Sequence, residues 1–131
     1  MVKKITVNTL RKYKESNEKF SVLTAYDYST AKYIDEAGID VVLIGDSLAM
    51  VALGYETTNA IGVEEMSIFT KAVAKGVNHA MVITDMPFLS YHTDIPTAIK
   101  NCGQMIKFGA NGVKIEGFSE YILEVIKRCV D

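Results

Sequence analysis

Apolar residues along this chain follow two patterns that take turns. Short, almost uninterrupted apolar runs, rich in β-branched residues and closing on an acid, occupy residues 20–27, 40–46, 80–85 and 112–116. The acids at their ends are Asp27, Asp46, Asp85 and Glu116. The second and third runs are nearly continuous in Val, Leu, Ile, Met and Ala, which is how a strand buried on both faces reads. Between the runs the period lengthens to that of a helix. Residues 29–37 carry Ala31, Ile34 and Ala37 on one stripe, with Ser29 at the expected N-cap. Residues 63–75 carry Met66, Phe69 and Val73, residues 95–108 carry Ala98, Met105 and Phe108, and residues 119–130 carry Ile122, Val125, Ile126 and Cys129. Pro96 suits a first helical turn.

Gly38, Gly76 and Gly109 end the first three of these helices and are expected to be C-caps in the left-handed region. A further helix is expected over residues 8–16, ahead of the first strand. A helix followed by four strand–helix units predicts an α/β fold with a parallel sheet and right-handed crossovers. The stretch 47–59 carries few helix signals after Gly54 and reads as an extended loop over the strand ends. No linker or low-complexity tract divides the chain, so residues 1–131 read as one domain.

Composition narrows the classes. The chain is 49% apolar and 23% charged, with a net charge of −2, which gives no electrostatic reason to expect nucleic acid. The basic cluster Arg11, Lys12 and Lys14 reads as a solvated helix face. No apolar run approaches the ~20 residues of a membrane helix. The start, from Met1 to Val7, turns polar too soon for a signal peptide, and a cytoplasmic protein is expected. Cys102 and Cys129 form no CxxC pair and have no histidine at metal spacing, so reduced thiols are expected and a structural zinc is not.

The chemistry gathers at the strand ends. In a parallel β/α sheet, ligands bind at the C-terminal ends of the strands. Four carboxylates on one rim repel one another unless a cation joins them. Oxygen ligands without His or Cys favour Mg²⁺. Each acid also has an ordinary alternative as a turn former or N-cap, which Asp27 fits best. Lys114 lies in an apolar strand two residues before Glu116, so alternation puts both on one face. It either holds a substrate carboxylate near the rim or reaches solvent from a strand edge. His79 falls at the opposite rim and is expected to be structural. His92 falls on the acidic rim as a lid candidate. The motifs GxGxxG, GxxxxGK[ST], GxSxG and HExxH are absent.

Four words, Leu23-Thr24-Ala25-Tyr26-Asp27-Tyr28-Ser29, Gly45-Asp46-Ser47-Leu48, Asp85-Met86-Pro87-Phe88-Leu89-Ser90-Tyr91 and Val113-Lys114-Ile115-Glu116-Gly117, resemble the ketopantoate hydroxymethyltransferase family in content, order and spacing. The resemblance runs through nearly the whole chain. It implies a TIM (β/α)8 barrel related to phosphoenolpyruvate mutase and isocitrate lyase. It also implies transfer of a hydroxymethyl group from 5,10-methylenetetrahydrofolate to 3-methyl-2-oxobutanoate, giving 2-dehydropantoate for pantothenate biosynthesis. By the same resemblance Asp46 and Asp85 bind Mg²⁺, Glu116 is the acid near it, and Asp46, Ser47, Asp85 and Lys114 hold the keto acid. A homo-oligomer, decameric in the family, is implied for the full-length protein.

The chain departs from that pattern in three ways. A whole barrel takes eight units and about 250 residues, whereas this chain supplies four units in 131 residues. It is therefore expected to be an N-terminal half barrel, truncated at its C-terminus, that is marginal or self-associating in isolation. The family's general base, a glutamate of the second half, is expected beyond residue 131, so no residue here takes that role and the fragment alone is expected to be inactive. Phe69 stands where the family commonly has histidine, and Phe118 where its motif continues with a second glycine. The alternatives are another mutase- or lyase-like Mg²⁺ enzyme acting on a different 2-keto acid, or a non-catalytic remnant or interaction module.

Overall fold

The computed structural model describes residues 3–131; Met1 and Val2, the start of the stretch read against a signal peptide, lie outside the described residues. The elements follow the predicted order. They are α1 (Val7–Glu15), β1 (Val22–Thr24), α2 (Tyr28–Glu36), β2 (Val41–Ile44), α3 (Leu48–Val51), α4 (Val63–Gly76), β3 (Met81–Asp85), α5 (Ile95–Lys107), β4 (Gly112–Lys114) and α6 (Glu120–Val130), with a 3₁₀ turn at Thr58–Ala60.

The four strands form one parallel sheet in the order β1-β2-β3-β4. Each crossover spans a helix, as parallel pairing demands. The side chains of Val42, Ile44, Val82 and Thr84 point from one face and are fully buried under the helices with Ala31, Met66, Val73 and Met105. Alternation turns Leu43, Ile83 and Asp85 to the other face. At the start of the strands that face is closed by Ile5, which packs with Val41 and Met81, while Leu10 of α1 lies against them. The edge strands are thinner. All three residues of β1 are exposed and those of β4 are half-buried.

Local chemistry explains the boundaries. Asp27, not Ser29, caps α2, its carboxylate accepting from the Thr30 N–H at 2.8 Å. Asp94 and Ser119 cap α5 and α6 in the same way. Gly38 and Gly109 end their helices at φ +84° and +111°, as expected. Gly76 does not, and the expectation of a left-handed cap there is corrected. It stays helical, and a Cβ on it would meet the Tyr28 carbonyl oxygen at 2.6 Å. Its small size lets α4 press against the start of α2. The loop after β2 is also less extended than expected, because Leu48 and Ala49 bury one helical turn directly behind Ser47.

Candidate active site

The rim at the strand C-termini is built around Asp85, the last residue of β3 and only 4% exposed. In the parallel register Asp85 lies beside Lys114 of β4. Neighbours at one register position project to the same face. The Lys114 ammonium therefore reaches Asp85 Oδ1 at 2.7 Å, and Glu116 Oε1 at 3.3 Å. Burial alone would lower the Lys114 ammonium. The Asp85 carboxylate, helped by Glu116, outweighs this and holds it above the ordinary lysine range.

Asp85 Oδ2 takes the Asp46 backbone N–H at 3.2 Å, which joins the ends of β2 and β3. Asp46 itself is half-buried. Burial raises its carboxyl above the usual range, and the Asp85 and Glu116 charges push it the same way. Next to it, Ser47 Oγ lies 2.8 Å from the Tyr26 hydroxyl. Gly45 makes room for this arrangement: a Cβ there would stand 2.7 Å from Ser47 Oγ and 3.6 Å from Asp85 Oδ2.

The structure thus brings Asp46, Ser47, Asp85, Lys114 and Glu116 to one rim. It leaves Asp27 out, since that exposed carboxylate is spent on Thr30, whose hydroxyl and N–H pull its pKa down. His79 sits at the far rim, its Nδ1 2.8 Å from the Lys3 carbonyl oxygen, in the structural role expected of it. His92 is exposed and stacks on Tyr91 at 4.1 Å. Two tyrosine hydroxyls escaped the sequence reading. Tyr26 meets Ser47, and Tyr91 meets the backbone of Glu116. Only their place inside the four words hinted at a role, because the contacts join residues 21 and 25 positions apart.

Could such a rim hold a divalent cation? Among the described residues no three acidic, His or Cys side chains are drawn together as a closed metal cage. The ammonium stands between Asp85 and Glu116 instead. Two features nevertheless fit a hard cation. Asp85 Oδ1 is buried and is met by the side-chain ammonium of Lys114 at 2.7 Å rather than by a built-in backbone donor. Lys114 offsets one of the three carboxylates, which leaves the rim with a surplus of negative charge and oxygen donors only.

A sequence model of the ketopantoate hydroxymethyltransferase family matches residues 4–131. The 3-methyl-2-oxobutanoate hydroxymethyltransferase of Clostridium botulinum (strain Alaska E43 / Type E3) is 51% identical over 129 residues, covering 98% of this chain and 46% of that protein. The same-named protein of Thermoanaerobacter sp. (strain X514) is 47% identical over 132 residues, covering 100% of this chain and 48% of its own. The chain spans about half the length of the curated relatives it matches. Among solved structures, phosphoenolpyruvate phosphomutase from Streptomyces platensis subsp. rosaceus superimposes with a TM-score of 0.71 at 13% identity, over 95% of this chain and 49% of that one. Oxaloacetate acetylhydrolase does so with 0.68 at 16%, over 98% and 48%. These likenesses show the fold alone, a run of parallel β/α units that covers about half of each of those chains. Described residues include no helix long and apolar enough to cross a membrane. With the family pattern matched over almost its whole length, the chain belongs to the ketopantoate hydroxymethyltransferase family.

Proposed function

We propose that this chain carries the keto-acid and Mg²⁺ half of a hydroxymethyltransferase site that acts on 3-methyl-2-oxobutanoate. The observation that carries the reading is the pairing of a buried Asp85 with Lys114 at 2.7 Å at the C-terminal ends of adjacent parallel strands. Asp46 and Asp85 would hold the cation, with Glu116 beside it. When bound, the cation supplies positive charge at the keto oxygen of the substrate, where negative charge grows as the C3 proton leaves.

The protein's own residues do the rest. The Lys114 ammonium, kept charged by its neighbours, is placed to bind and orient the substrate carboxylate. Ser47, held by Tyr26, offers a hydroxyl to the same end of the substrate. The Asp46 N–H fixes Asp85 Oδ2, and Oδ1, now met by the Lys114 ammonium, would turn to the cation as that ammonium takes the substrate carboxylate. The base that takes the C3 proton is proposed to come from outside these four β/α units. The donor 5,10-methylenetetrahydrofolate, a homo-oligomeric assembly and a cytoplasmic location belong to the same proposal.

Calorimetric titration with 3-methyl-2-oxobutanoate, with and without Mg²⁺, tests the reading. Binding is expected to require Mg²⁺ and to weaken by at least about tenfold in Asp85→Ala. Equal affinity in the two proteins removes Asp85 from the site.

A further inference from the structure

The β4 ladder stops at Lys114, and Glu116 lies two residues beyond it. Gly117 follows at φ +115°, a backbone state that glycine adopts readily and that turns the chain away from the line of the strand. The strand ladder does not reach the Glu116 side chain, which is 73% exposed and, among the described residues, pairs only with Lys114. Its backbone is held from elsewhere. The Tyr91 hydroxyl accepts the Glu116 N–H at 3.2 Å and donates to the Glu116 carbonyl oxygen, also at 3.2 Å.

Tyr91 is 4% exposed, far more buried than its neighbours Leu89 and His92. The loop after β3 is shaped to put it there. Met86 N–H extends the ladder to the Lys114 carbonyl oxygen at 2.9 Å, and Ser90 N–H closes a turn onto the Pro87 carbonyl oxygen at 3.1 Å. Leu89 turns the chain at φ +63°, a left-handed conformation that costs a non-glycine residue roughly 1 kcal/mol. Asn101 of α5 then donates to the Ser90 carbonyl oxygen at 2.6 Å and anchors the turn to a helix. A residue in an unfavourable backbone state persists where its surroundings over-determine it. Here the turn delivers a single buried hydroxyl to both backbone polar groups of one residue, and so to the two peptide units that flank the Glu116 side chain.

We propose that Tyr91 is a positioning residue: its hydroxyl clamps the Glu116 backbone so that the Glu116 carboxylate faces Lys114 and Asp85. This rests on the functional reading above, in which Glu116 stands beside the cation. It goes further by assigning the order of the β4 rim to the loop after β3.

Tyr91→Phe keeps the ring and removes the clamp. Two measurements on the same protein test it. Amide hydrogen exchange at Glu116 is expected to speed up about fivefold in the variant, while β2 and β3 amides keep their protection. Mg²⁺-dependent affinity for 3-methyl-2-oxobutanoate is expected to fall at least about tenfold, a loss typical of a group that orients a ligand-bearing residue. Unchanged exchange at Glu116 overturns the clamp, as does an unprotected Glu116 amide in the unaltered protein, which needs no variant at all. Faster exchange with undiminished affinity overturns the positioning role. A protected amide in an unaltered protein that binds no keto acid instead sinks the functional reading and leaves the clamp standing.

Discussion

Two buried carboxylates sit at opposite ends of this sheet, and they are treated differently. Asp35, on the last turn of α2, accepts backbone N–H groups from Asn78, His79 and Ala80 at 2.8, 2.9 and 2.7 Å. Both of its oxygens are satisfied, and the three donors come from the segment leading into β3. Asp85, at the other end of β3, receives one backbone N–H, and its second oxygen is held by the side-chain ammonium of Lys114 at 2.7 Å. A buried acid with all its partners built in is a structural rivet. One held partly by a side chain can exchange that partner for a ligand. The two ends of one strand thus divide the work, with stability at its start and chemistry at its finish, as barrel folds generally do.

The largest effect should come from breaking the rivet. Asp35→Ala takes the acceptor from three backbone N–H groups, that of Ala80 in a buried place, and should cost about 2 kcal/mol. Urea unfolding should show this loss, and the variant's folded fraction should still bind keto acid normally. Asp85→Ala should show the reverse, with affinity gone and stability little changed. Loss of binding in Asp35→Ala at full folded occupancy would blur the division. The same contrast has a pH signature. Burial, the largest single influence on Asp35, would raise its carboxyl, but the Ala80, Asn78 and His79 donors together hold it below the ordinary value. A depressed folded pKa means that the unfolded chain takes the proton first. The stabilisation is therefore complete above the unfolded value, about 3.9, and drains away as pH falls below it toward the folded pKa. Unfolding midpoints followed from pH 6 down to pH 3 should fall steeply, and more gently in Asp35→Ala.

A pair of glycines sharpens the comparison. At Gly76 an added Cβ meets the backbone carbonyl of Tyr28 at 2.6 Å, which cannot move without parting α2 from α4. Gly76→Ala should cost about 2 kcal/mol, within the range of overpacking, by thermal or urea unfolding. At Gly45 the Cβ meets Ser47 Oγ at 2.7 Å, the end of a short side chain that can rotate. Gly45→Ala should cost little stability, but it turns Ser47 away from Tyr26 and should weaken keto-acid binding. Equal stability losses in the two would show that the rim is as rigid as the core.

The same two ends explain what could be read from sequence. The strands were legible because β2 and β3 are buried on both faces and left near-continuous apolar runs, Val41 to Ile44 and Met81 to Asp85. The rim residues were legible because acids closing such runs must lie at the strand ends, and the register then set Lys114 beside Asp85. Asp35 was not legible. It is one acid among others on an amphipathic helix, and its partners lie 43 to 45 residues away. Gly76 misled for a related reason: a glycine closing a helix reads as a left-handed cap, and only the packing of α2 shows that size is what matters. Tyr26 and Tyr91 were hidden because a tyrosine's place in the sequence does not show which distant group its hydroxyl meets.

The smallest effect concerns Asp46, and it runs against ordinary expectation. Most substitutions of a partly buried residue destabilise. Asp46 instead carries a carboxyl whose pKa is raised, first by burial and then by the Asp85 and Glu116 charges. A raised folded pKa means that the ionised group is less welcome in the folded chain than in the unfolded one. The penalty is fully present at neutral pH and disappears as pH falls through the folded value to the unfolded one. Asp46→Asn removes the charge, keeps the shape and leaves the backbone N–H to Asp85 in place. At pH 7 and without divalent cation it should be more stable than the unaltered protein by about 1 kcal/mol or less. Near pH 4 that gain should shrink. With saturating Mg²⁺ and keto acid the order should invert, because a ligand stabilises only the chain that binds it. Three urea titrations decide the matter. If Asp46→Asn is less stable in all of them, Asp46 is a structural acid like Asp35, and the contrast between the two ends of the sheet fails at this residue.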